Sequence, residues 1–179
     1  MALSATIYKF TISISDLNRD YYDSLQVTVA QHPSESVERM MVRVLAYCVD
    51  ACEGLAFTKG LSTPETPDIW AKSLDDQINL WVEVGEPSAD KIKKATRQSK
   101  QVKVYSFNSK SDVWWSQEQK KLNTLNVAVI QFPWDEIQQL VALVSRTVNM
   151  SVTITGDSIF INSDNGDREV HWATLQDND

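Results

Sequence analysis

Apolar and polar residues alternate at the start of the chain. SATIYKFTISI (4–14) and YDSLQVTVAQ (22–31) are rich in β-branched side chains, and the polar turn DLNRD lies between them. They predict an antiparallel strand pair. The period then changes. In HPSESVERMMVRVLAYCVDAC, Val37, Met40, Met41, Val44, Leu45, Cys48, Val49 and Cys52 recur at helical spacing. Pro33 and Ser34 suit the start of that helix.

A short strand-like AFTKG follows, then LSTPETPDIW, which reads as a Pro-rich loop. INLWVEV is strand-like and ends at Gly85 and Pro87. SADKIKKATRQSK predicts a helix capped by Ser88. VKVYSFN and NVAVIQF predict strands, with DVWWSQEQKKL as a helix between them and WDEIQQLVALVSR as a helix after. TVNMSVTIT, SIFIN and EVHWATL, joined by polar glycine-containing turns, predict a closing β-meander. The centre alternates strand, helix, strand, helix, strand, which favours parallel pairing with right-handed crossovers. Hairpins at both ends would make the sheet mixed. The expectation is one α/β domain over residues 1–179, a mixed β-sheet flanked by helices.

Three positions break this pattern. On a helical wheel Glu38 lies about 100° from Val37, inside the apolar arc near its edge, whereas Arg39 and Arg43 fall on the far side. In INLWVEV, Ile78, Leu80, Val82 and Val84 share one face, and Asn79, Trp81 and Glu83 share the other. Glu83 is thus a full charge at the C-terminal end of a central strand, where binding and chemistry gather in α/β sheets. Gly85 follows and leaves room for close approach. Asp68 lies upstream in TPDIW. Carboxylates gathered at one strand end suit Mg²⁺ or Mn²⁺, and a neighbouring lysine from IKKA would orient a water or stabilise an oxyanion. A buried ion pair is the structural alternative for Glu83, and for Glu38 the alternatives are an edge carboxylate reaching water or a structural ion pair.

Composition narrows the function. The chain has 179 residues and a formal net charge of -7, which argues against a general nucleic-acid coat protein. The charge is unevenly spread. Lys91–Lys121 holds nine basic residues against Asp112 and Glu118, a net +7, which leaves -14 elsewhere. A basic patch of this kind can recruit a phosphate backbone despite the acidic total. A solvated helix face would look the same. Trp114 and Trp115 lie in this stretch and could stack on bases; adjacent helical tryptophans more often place one ring in the core and one at its rim. Cys48 and Cys52 read as reduced, buried thiols. No apolar run is long enough to span a bilayer, and MALSATIYKF lacks a signal-peptide pattern, so a cytoplasmic protein is expected. There is no P-loop, no dinucleotide fingerprint and no G-x-S-x-G elbow.

Several words recur together: HPSESVERMMVRVLAY (32–47), FTKGLS (57–62), PDIW (67–70), LWVEVGEP (80–87), KIKKA (91–95) and WW (114–115). In this order they resemble the YaeQ family along almost the whole chain. The resemblance implies a variant of the PD-(D/E)XK nuclease fold. Pro67-Asp68 fits the first part of that motif. Glu83-Val84-Gly85 fits the second, with glycine in place of the lysine. By the resemblance, Glu38, Asp68, Glu83 and Lys94 would be catalytic. Asp68 and Glu83, with the Val84 carbonyl, would hold Mg²⁺ or Mn²⁺, and Lys94 would replace the missing lysine. Spacing on the helix alone favours Lys91, which flanks the packed face more closely. Two functions follow: a metal-dependent phosphodiesterase acting on nucleic acid through Lys91–Lys121, or a binding or regulatory protein without catalysis that meets RNA or an acidic protein.

Overall fold

A computed structural model describes residues 4–59 and 65–178. The first hairpin forms as the alternation predicts, with β1 (Thr6–Asp16) antiparallel to β2 (Tyr21–Gln31). The first helix, α1 (Val37–Val49), begins later than Pro33 and Ser34 suggest. Ser36 is its cap, and its side chain accepts from the Arg39 N–H. A serine hydroxyl at this position satisfies one of the otherwise orphaned amide donors of the first turn. β3 (Leu55–Phe57) is short. Part of the loop expected over 61–70 lies outside the described residues. Its last part is instead a strand, β4 (Ile69–Lys72), paired antiparallel to β5 (Ile78–Val84). Four residues are too few to show a clear period, which hid this strand.

From β5 the predicted alternation holds. α2 (Ala89–Gln98), capped by Ser88, leads to β6 (Ser99–Ser106), and α3 (Ser111–Leu122) leads to β7 (Val127–Gln131). The pairs β5–β6 and β6–β7 are parallel. α4 (Trp134–Gln139) is shorter than its apolar pattern suggests, because the backbone tightens into a 3-10 turn over Leu140–Leu143. β8 (Thr147–Thr155), β9 (Ser158–Ser163) and β10 (Gly166–His171) form the expected meander.

The single mixed sheet expected from the sequence is two sheets. One runs β10-β9-β8-β1-β2, with β1 parallel to β8. The other begins with β11 (Ala173–Gln176) and runs β11-β7-β6-β5-β4-β3. EVHWATL, expected to be one strand, divides at Trp172. Its first part ends β10, and β11 (Ala173–Gln176) pairs with β7 in the other sheet. Each sheet satisfies the alternation rule by itself, so strand pattern alone does not reveal which strands share a sheet.

α1 explains why two sheets are needed. It packs against β2 and against β5, and Met40 to Ala46 is buried without interruption. With both sides covered, the helix has no fully solvated face. Arg39 and Arg43, which the wheel places away from the core, are therefore enclosed; Arg43 is 4% exposed. A second apolar cluster lies under α2 and α3, where Ile92, Ala95, Trp114 and Leu122 cover Trp81, Val104 and Val129. The parallel strands are thus covered on both faces, and their C-terminal ends emerge between α1, α2 and α3. Ile78 departs from the expected alternation and packs on the α2 side, next to a register shift between Ala71 and Lys72 in β4. Cys48 is buried and its thiol is pushed up to about 12 by burial. Cys52, expected to be buried, is exposed because α1 has already ended. Both are free thiols.

Candidate functional site at the ends of the parallel strands

Asp68 enters the site one residue before β4. Its amide donates to the Val82 carbonyl at 3.0 Å, which fixes the backbone beside β5. Its Oδ2 accepts the Val84 N–H at 2.8 Å, and its Oδ1 accepts Arg39 Nη2 at 2.8 Å. The same Nη2 donates to the Val84 carbonyl at 3.0 Å. Arg39 Nη1 donates to Glu35 Oε2 at 2.6 Å. Glu35 also receives Arg43 through Nε at 2.9 Å and Nη2 at 2.6 Å. The network therefore reads Asp68–Arg39–Glu35–Arg43, with two carboxylates matched by two guanidiniums. Burial acts to lower the pKa of Arg39, but Asp68 and Glu35 outweigh it and raise the value. Arg39 stays charged.

Glu83 is 4% exposed. Its Oε1 accepts the Trp81 indole N–H at 2.9 Å, and its Oε2 lies 3.3 Å from Lys91 Nζ. Burial first, and the Asp68 charge second, hold its carboxyl above the usual glutamate range; Lys91 and Trp81 oppose them. The native state consequently binds this proton more tightly than the unfolded chain. The stability Glu83 contributes is complete below the ordinary value of 4.5 and is lost as pH rises through the raised value. Glu83→Gln is therefore expected to raise the melting temperature by a few degrees at neutral pH. The gain should fade as the pH is lowered through the raised value and be gone below 4.5. A lower melting temperature for the variant at neutral pH would show that the Lys91 pair outweighs desolvation.

Gly85 explains the absent motif lysine. Its φ is +117°, and nothing lies within 4 Å of where a Cβ would sit. The space is open, but L side chains avoid this backbone conformation. The strained φ, rather than crowding, favours glycine, and it carries the chain away from β5 while the Gly85 amide donates to the Tyr105 carbonyl at 2.8 Å. Beyond it lies a cleft of about 480 Å³ lined by Arg39, Glu83, Glu86, Lys91, Lys110 and Trp114, among others. Glu86 accepts the Asn108 N–H at 3.1 Å, and burial raises its pKa. Trp114 is buried and donates to the Pro87 carbonyl at 2.7 Å, while Trp115 is half-buried beside it. That is the core-and-rim arrangement rather than a stacking platform.

The structure brings Asp68 and Glu83 together but does not bring the other two predicted residues to them. Glu38 is half-buried and does not line the cleft, and its carboxylate has no hydrogen bond or ion pair among the described residues. The acid that enters the network from this region is Glu35, one residue before the cap. Lys94 is exposed on α2 and lines an adjoining hollow, outside the cleft, that it shares with Lys91 and Trp81. Lys91, one turn earlier, is the lysine at Glu83. Glu35, Arg39 and Arg43 were missed as site residues, although i, i+4 spacing places Arg39 and Arg43 on one stripe of α1; Glu35 reaches both from the bend before the cap.

The expected Mg²⁺ or Mn²⁺ does not fit this arrangement. Of the three oxygen donors implied for it, Asp68 Oδ1 and the Val84 carbonyl both accept Arg39 Nη2. The third, Glu83, meets an indole N–H and an ammonium. A guanidinium thus stands where the divalent cation was expected. Among the described residues, no group of three or more His, Cys, Asp or Glu side chains is placed to hold a metal. No helix among them is long and apolar enough to cross a membrane.

Comparison with known proteins agrees with this architecture. Residues 1–172 match the family model described as YaeQ protein. The chain is 36% identical over 178 residues to the "Uncharacterized protein YaeQ" of Escherichia coli (strain K12), covering 98% of each. The crystal structure of a YaeQ protein from Xanthomonas axonopodis pv. citri superposes with a TM-score of 0.94 at 30% identity, covering 97% of this chain and 99% of that one. The YaeQ protein of Pseudomonas syringae gives 0.91 at 36% identity, with 96% of each chain covered. The chain belongs to the YaeQ family.

Proposed function

We propose that this protein binds the phosphate backbone of a nucleic acid at the cleft beyond Gly85, without metal-dependent catalysis, on a scaffold related to the PD-(D/E)XK nucleases. The observation that carries this reading is Arg39 Nη2, shared between Asp68 Oδ1 and the Val84 carbonyl at 2.8 and 3.0 Å. It neutralises the carboxylate that would otherwise repel phosphate. Lys91 and Lys110 line the same cleft. Both belong to the segment of net +7, and with Arg39 they outnumber the two acids of the cleft, Glu83 and Glu86, so a polyanion is favoured although the whole chain is acidic. α3 begins at this cleft with Lys110 at its N-cap position, and its first-turn acid, Asp112, faces the neighbouring cavity instead of this cleft.

Salt titration tests the reading. Binding of a single-stranded oligonucleotide should weaken linearly in log–log form as salt rises. Lys91→Ala and Lys110→Ala should each weaken binding about uniformly across sequences and each lower the salt slope by about one. Binding that ignores both lysines would overturn it.

A second reading, the metal-dependent phosphodiesterase, is favoured by one observation: Asp68 lies close enough to raise the pKa of Glu83. Its signature would be Mg²⁺- or Mn²⁺-dependent cleavage by the wild type that is lost in Glu83→Gln.

A further inference from the structure

A second cavity adjoins the cleft. It measures about 420 Å³, within the roughly 300–1,000 Å³ range of ligand clefts. It lies past the ends of β6 and β7, beside the crossing at Trp172 where the chain leaves one sheet for the other. The phosphate-facing cleft and this cavity share Asn108 as a wall. The two are therefore neighbours along one surface, at the spacing of one residue in the β6–α3 connection.

The lining differs in kind from that of the cleft. Trp134 and Trp172 are half-buried and both line the cavity. Trp134 is braced by Phe107, with ring centroids 6.0 Å apart and planes tilted by 40°. No lysine or arginine lines the cavity; His171 does, and its ring is held between Glu136 at 3.1 Å and Glu169 at 2.9 Å. The cavity's acid, Asp112, is exposed, and its Oδ1 accepts Gln131 Nε2 at 2.8 Å. Oδ2 has no protein donor among the described residues. A carboxylate held by one amide, beside indole surface, repels phosphate but accepts hydrogen bonds from a planar donor edge.

We infer that this cavity receives one unpaired nucleobase of a strand whose phosphates lie in the Lys91–Lys110 cleft, and that Asp112 favours a base presenting adjacent N–H donors, guanine above all. The inference rests on the proposed phosphate-binding function and extends it from backbone to base. Single-stranded nucleic acids are commonly held by such a division of labour, with cations following the backbone and aromatic rings meeting the bases. A duplex keeps its bases stacked and its Watson–Crick edges paired, so the cavity selects single strands.

The test uses a short single-stranded oligonucleotide with a central guanine, the same strand with an abasic centre, and the guanine strand annealed to its complement. Wild type should bind the guanine strand about tenfold more tightly than the abasic one. It should also prefer the guanine strand to the duplex. Trp172→Ala and Asp112→Asn should lower guanine-strand affinity to the abasic level and leave abasic binding unchanged. Trp172 packs on the core, so its variant is first checked by thermal melting; Asp112 is exposed, and its variant carries the test if Trp172→Ala unfolds. Equal, salt-sensitive binding of guanine and abasic strands would overturn the base cavity and leave the phosphate reading intact. No binding of either strand would overturn both.

Discussion

Arg39→Met is expected to destabilise the protein by about 3 kcal/mol in denaturant unfolding. The guanidinium links Asp68 and Glu35, which are 3% and 6% exposed. Removing it leaves the Val84 N–H as the remaining donor to Asp68 among the described residues, and Asp68 must then carry its charge with one hydrogen bond. Removing one partner of a buried pair costs more than the pair contributes, because the other charge is left poorly solvated. The substitution also opens the position between Asp68 and the Val84 carbonyl. Mg²⁺ or Mn²⁺ should therefore raise the melting temperature of Arg39→Met and leave that of the wild type unchanged. Equal shifts for both proteins would show that Arg39 does not compete with the metal.

Glu35→Ala should be at least as costly, about 3–5 kcal/mol. Glu35 receives three N–H bonds from two arginines. Arg39 keeps Asp68 and the Val84 carbonyl when Glu35 is lost. Among the described residues Arg43 keeps only the Ala30 carbonyl, at 2.9 Å, and its stacking over Phe57, where the guanidinium carbon is 5.6 Å from the ring centre. Its side chain is 5% exposed, so water cannot replace the missing carboxylate. Pairing Glu35→Ala with Arg43→Met should recover much of the loss, since both members of the buried pair are then gone. Additive losses in that double-mutant cycle would show that Glu35 acts chiefly through Arg39. Urea unfolding of the three variants measures the cycle.

Much of the fold was legible because its periods are clean. β1, β2, α1, and the run from β5 to β7 carry the pattern expected of half-buried strands, an amphipathic helix and a parallel centre. What escaped was pairing at a distance. Alternation shows which way a side chain points but not which sheet it points from, so the division into two sheets and the split at Trp172 were hidden. The same limit governed the site. Glu83 stood out as an acid in an apolar strand, and Asp68 only in combination with it and through the Pro67-Asp68 motif. Glu38 stood out as an acid in an apolar arc, yet its side chain finds no partner among the described residues, while Glu35 before the cap does. Arg39 and Arg43 looked solvated because the wheel assumed that α1 has one covered side. The second sheet covers the other. The choice between Lys91 and Lys94 turned on one helical turn, and the packed face of α2 orients Lys91 toward Glu83, as the spacing alone favours. Gly85 was legible as a departure from the nuclease motif; its φ of +117° is what makes glycine the fitting residue there.

The most direct measurement is the affinity of the wild-type protein for a single-stranded oligonucleotide across a salt series, once in EDTA and once in Mg²⁺. With Arg39 as the resident cation and the lysines as the phosphate contacts, the two series should coincide after correction for ionic strength, with the strand intact in both. Binding or strand cleavage that appears only with Mg²⁺ or Mn²⁺ would contradict the metal-free site.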